Sequence, residues 1–163
     1  MSYFEIPTFD SLTKQCVPYS GFGNTSIFSK NAPDSYVDTS QQAHSRCSEV
    51  FGIRTATPQE IIQCIDQTIA SMRSQGWTPE EGSINLFTTD FGCLLTDALR
   101  EMVGGSLVLR SGSDLSHASV WWAENGVEVF PFHVIYKRLQ DFEASSLASF
   151  AKGVRSMLEC GNS

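Results

Sequence analysis

The chain has 163 residues, 41% of them hydrophobic and 18% charged, and a formal net charge of −7. That length suits one ordinary domain that buries about two thirds of its unfolded surface without help from a metal or disulfide, and the negative balance excludes nucleic acid as a natural partner. No stretch is apolar for long enough to cross a bilayer, and the opening MSYFEIPTFDSLTK lacks a basic-then-apolar signal pattern, so a cytoplasmic protein without membrane association is expected.

Residues 1–56 are the least regular part, with short apolar pieces such as Tyr3-Phe4 and Ile27-Phe28 among Gly, Asn, Ser and Pro. Loops and one short element are expected there, with a mobile portion near Ser29–Ser40. At Thr57-Pro58-Gln59-Glu60 the pattern sharpens: a capping threonine, proline at the first helical position and glutamate three residues on. Ile61, Ile65, Ile69 and Met72 then recur at helical spacing, and Gly76 marks the stop, so a helix is predicted over about 58–75.

Thr78-Pro79-Glu80-Glu81 resembles a second start, but Gly82 and Ser83 interrupt it, and the next helix is predicted over about 88–103. Its apolar face comprises Phe87, Phe91, Leu94, Leu95, Ala98, Leu99 and Met102, and Gly104-Gly105 ends it. Asp97 and Glu101 fall on the opposite face and are expected to see solvent. From Ser106 the period changes from 3.6 to 2. After the turn at Ser111–Asp114, a hairpin is expected within 118–130 around Asn125-Gly126, the pair favoured by a two-residue type I′ turn. That register sets Trp122 opposite Val129 and Trp121 opposite Phe130. Val120, Trp122 and Val129 then share one face, and Trp121, Glu128 and Phe130 the other.

Pro131 ends the ladder, Phe132–Leu139 suits a short helix, and a last helix is predicted over about 142–158, burying Phe142, Leu147, Phe150, Val154, Met157 and Leu158. The fold class is α+β: one domain, an antiparallel sheet packed with helices.

Residues Leu86–Leu139 resemble a widespread bacterial domain family whose members show D-x-G-x-x-x-x-D-x-L and a closing F-P-x-x-x-I-x-K-R. The matching residues are Asp90, Gly92, Asp97 and Leu99, then Phe130, Pro131, Ile135, Lys137 and Arg138. The resemblance implies an α+β domain and an association with immunity proteins, which neutralise toxins passed between competing bacteria.

Candidates for chemistry are sparse. Five cysteines, at 16, 47, 64, 93 and 160, are odd in number and irregularly spaced, against both a disulfide framework and a zinc ribbon. His44 and Cys47 form H-x-x-C without a second metal-binding pair. His117, His133 and Asp114 can be drawn as an acid–base set for a small hydrolase, and an acidic adaptor of a secretion system is a further alternative. Glycine pairs such as Gly104-Gly105 lack the context of a phosphate-binding loop. No catalytic residue, metal or cofactor is assigned. Residues 80–128 hold eight acids against two bases, so the expected function is binding and neutralising a basic protein toxin, for example a nuclease. Asp97, Glu101, Asp114, Glu124 and Glu128 would supply the acidic rim, with Trp121 and Phe130 as aromatic anchors. The competing reading buries both tryptophans as core.

Overall fold

A computed structural model describes residues 25–28, 32–54, 56–110, 115–141 and 146–160. Expectations for Cys16, Asp114, the turn at 111–114 and Phe142 lie outside these. Among the described residues the chain forms five α-helices and a four-stranded antiparallel sheet, the α+β class expected.

The sheet has order β1-β2-β3-β4, with β1 Thr25–Phe28, β2 Ser106–Arg110, β3 Ser119–Trp122 and β4 Val127–Val129. The helices are α1 Asp34–Phe51, α2 Pro58–Ser74, α3 Glu81–Val103, α4 Pro131–Gln140 and α5 Leu147–Cys160, with a 3₁₀ turn at Leu115–His117. The long α3 is central and packs against α1, α2 and α4, while α5 rests on α2.

Local chemistry accounts for α2 as predicted: Thr57 Oγ1 accepts from Glu60 N at 3.3 Å, Pro58 opens the helix, and Gly76 at φ +91° ends it. The expectation of irregular structure through residue 56 is corrected by the 18-residue α1. Its buried set is Tyr36, Ser40, Ala43 and Cys47, spaced for one helical face yet too small and polar to give a hydropathy period. Gly52 at φ +69° ends it. The start of α3 also moves, to Glu81, because Gly82 and Ser83 continue the helix instead of breaking it. Helix propensity at two exposed or half-exposed residues is outweighed by the buried Ile84 that follows.

The hairpin register is corrected by two residues. Val120 pairs with Val129, Trp121 with Glu128 and Trp122 with Val127, around a four-residue loop, 123–126. Gly126, at φ +68°, supplies the left-handed residue, and Asn125 has negative φ, so the loop is not type I′. Phe130 leaves the ladder because Pro131 at the first helical position makes it the N-cap residue of α4. A shift of two residues preserves which side chains share a face.

Leu107, Val120, Trp122 and Val129 therefore join the main core with Phe91, Leu95, Leu99 and Ile135. On the other sheet face Trp121 forms a smaller buried cluster with Ile27 and Val108. Both tryptophans are buried. In α5, Leu147 and Val154 are buried as expected, whereas Met157 is exposed. No helix of the described residues is long and apolar enough to cross a membrane.

Candidate functional site

Two regions of the surface combine accessible side chains with fixed geometry, and a third assembles polar groups for packing. The third is the seam between α1 and α3. Asp97 there accepts from Tyr36 Oη at 2.9 Å and Ser40 Oγ at 2.5 Å, and His44 Nε2 stands 3.0 Å from its Oδ2. Two helical turns earlier along α3, Arg46 grips the buried Asp90 through both carboxylate oxygens, at 2.6 and 3.0 Å. Burial, reinforced by the Asp97 charge, pushes the Tyr36 hydroxyl well above its ordinary pKa. Asp97 is thus an interhelical clamp, correcting the expectation that it simply faces water.

Cys47 and Cys93 lie inside this seam, fully buried, and desolvation followed by nearby carboxylate charge pushes each thiol up to about 12. His44 is occupied by Asp97 on the exposed side of α1 while Cys47 points to the core, so the H-x-x-C pair does not assemble. Among the described residues no three His, Cys, Asp or Glu side chains are grouped to hold a metal ion.

The first surface region is the end of the molecule where α3, the hairpin loop and α5 meet. Trp122 Nε1 donates to Val103 O at 2.9 Å, bringing the last turn of α3 against β3. Asn125 Nδ2 donates to Leu158 O at 2.9 Å, tying the loop to the last turn of α5. Glu101, Glu124 and Glu159 lie within two residues of these contacts, and all three are exposed. Arg155, one turn earlier on α5, borders the patch. Glu128 sits farther back, half-buried, and accepts from Ser119 Oγ at 2.5 Å. Of the residues expected to meet a partner, Glu101 and Glu124 are accessible; Trp121 is 6% exposed and its ring packs inward, a correction to its anchor role. Glu159, unmarked by the alternating pattern, is placed here by the hydrogen bond from the Asn125 side chain to the neighbouring Leu158 carbonyl.

The second region is a cleft of about 390 Å³ between α3 and α4, lined by Asn85, Thr88, Thr89, Leu115, Phe132, His133 and Tyr136. Gly92 makes the approach of the two helices possible: a Cβ there would fall 2.2 Å from Phe132 Cδ1. Half-buried Phe130 stacks on His133, ring centroids 5.7 Å apart, and His117 meets the same imidazole edge-on at 5.6 Å. Sequence reasoning singled out His117 and His133, and the fold brings them together. It missed Asn85, Thr88, Thr89 and Tyr136, polar residues on helical faces with no spacing signature.

The basic pair closing the family-like motif has a packing role at Arg138, buried and 3.7 Å from Asp66 Oδ1. Lys137 is exposed. No family model matches the chain, and no curated protein or solved structure matches it either.

Proposed function

We propose that this protein is a non-enzymatic binding protein of the immunity or inhibitor type, which occupies a basic protein toxin, such as a nuclease delivered between competing bacteria, in the cytoplasm. The observation that carries the reading is the acidic end, where Glu101, Glu124 and Glu159 are exposed and held together by the Trp122–Val103 and Asn125–Leu158 hydrogen bonds. Rigid placement of like charges raises the local potential and speeds capture of a cationic surface, because the ordering cost is met during folding rather than on binding. The carboxylates of the α1–α3 seam, Asp97 and Asp90, are engaged with Tyr36, Ser40 and Arg46. They are therefore less suited to direct contact.

The test is to co-purify the chain with the product of the neighbouring gene and to measure association as salt is raised. Reversal of Glu101 and Glu124 to lysine is expected to slow association roughly tenfold or more at low salt. Equal rates for the native chain and the reversed variant would remove the acidic end from the function. Failure of the pair to associate at all would remove the inhibitor reading.

A further inference from the structure

We propose that the α3–α4 cleft binds a neutral planar heterocycle, with a nucleobase or nucleoside as the ligand class. Its volume of about 390 Å³ falls in the range of small-molecule sites. Phe132 closes the cleft from within the core, and the accessible rings are Tyr136, 39% exposed, and the exposed His133 imidazole, which Phe130 and His117 contact. Flat π-surfaces of this kind stack on bases.

The polar groups are uncharged. Asn85 presents an amide donor and acceptor side by side, the arrangement that pairs with a base edge. Thr89 Oγ1 is bonded to Asn85 O at 3.0 Å, but Thr88, only 6% exposed, has a buried hydroxyl without a hydrogen-bond partner among the described residues. A buried hydroxyl left unpaired is costly, and a ligand edge entering the cleft supplies the missing partner. Among the described residues no lysine, arginine, aspartate or glutamate lines the cleft. The described lining thus offers phosphate no cation, and a sugar's paired hydroxyls no carboxylate or guanidinium fork. The base itself is what the lining reads.

Isotope-labelled protein titrated separately with adenosine, guanosine, cytidine and uridine tests this, with methyl glucoside and inorganic phosphate as controls. At least one nucleoside is expected to give saturable shifts at Thr88, His133 and Tyr136, with neither control doing so. Thr88→Val, which keeps shape and loses the hydroxyl, should weaken that binding roughly fivefold to tenfold. Tyr136→Ala, at an exposed position that folding tolerates, should weaken it too. Four nucleosides without saturable shifts, controls that bind as well, or affinities unchanged in both variants would each overturn the proposal.

Discussion

Asp66 receives the first two backbone N–H groups of α5, from Leu147 at 2.9 Å and Ala148 at 3.0 Å, while lying beside Arg138 of α4. One carboxylate on α2 thus caps a helix that starts 81 residues away and compensates a buried guanidinium. Asp66→Ala removes both functions, and a loss of about 3 kcal/mol is expected from urea unfolding. A second residue-scale expectation concerns the thiols. Cys47 and Cys93 are held protonated by burial, up to about 12, whereas Cys160 is exposed. Alkylation of the native protein followed by mass spectrometry should label Cys160 and spare the other two. The sign of the linkage follows. In the window from about 9 to about 12 the unfolded chain has lost thiol protons that the folded chain retains, so stability falls as pH rises through it. The Cys47→Ala, Cys93→Ala double variant should show a shallower decline.

Contact between α3 and α4 turns on one missing side chain. Gly92→Ala drives a Cβ into the Phe132 ring and should cost about 2 kcal/mol. Phe132→Leu in the same chain should recover part of that, giving a non-additive double-mutant cycle. If the two substitutions add, the close approach is not what Gly92 provides. How far such elements were legible in the sequence depended on what was repeated. The α2 isoleucines recur at helical spacing behind a threonine-proline start, so the helix was plain. In α1 the face is Tyr36, Ser40, Ala43 and Cys47, of which Tyr36 and Ser40 bond Asp97 and Ala43 and Cys47 are small core residues, so no strong hydropathy period marked it. The hairpin faces were legible because side chains alternate, whereas its register was not, because it depended on Phe130 being taken by the start of α4. Of the candidate cleft, only the histidines stood out; the threonines and asparagine acquire meaning from the helix packed over them.

At the scale of the whole molecule, the net charge of −7 becomes specific through the fold. Two acids, Asp90 and Asp97, are engaged by Arg46 and by the Tyr36 and Ser40 hydroxyls at the α1–α3 seam. Three of the exposed carboxylates, Glu101, Glu124 and Glu159, stand where α3, the hairpin and α5 end. Hydrogen bonds of Trp122 and Asn125 fix that end, so Asn125→Ala should loosen the loop and reduce affinity for a cationic partner without altering net charge. The most direct measurement of the central claim is the association rate between this chain and the product of its neighbouring gene, for the native protein and a Glu101→Lys, Glu124→Lys, Glu159→Lys variant, across a salt series. A rate that falls steeply with salt for the native chain, and is low and nearly salt-independent for the variant, is the expected result. Identical salt dependence in the two proteins would contradict it.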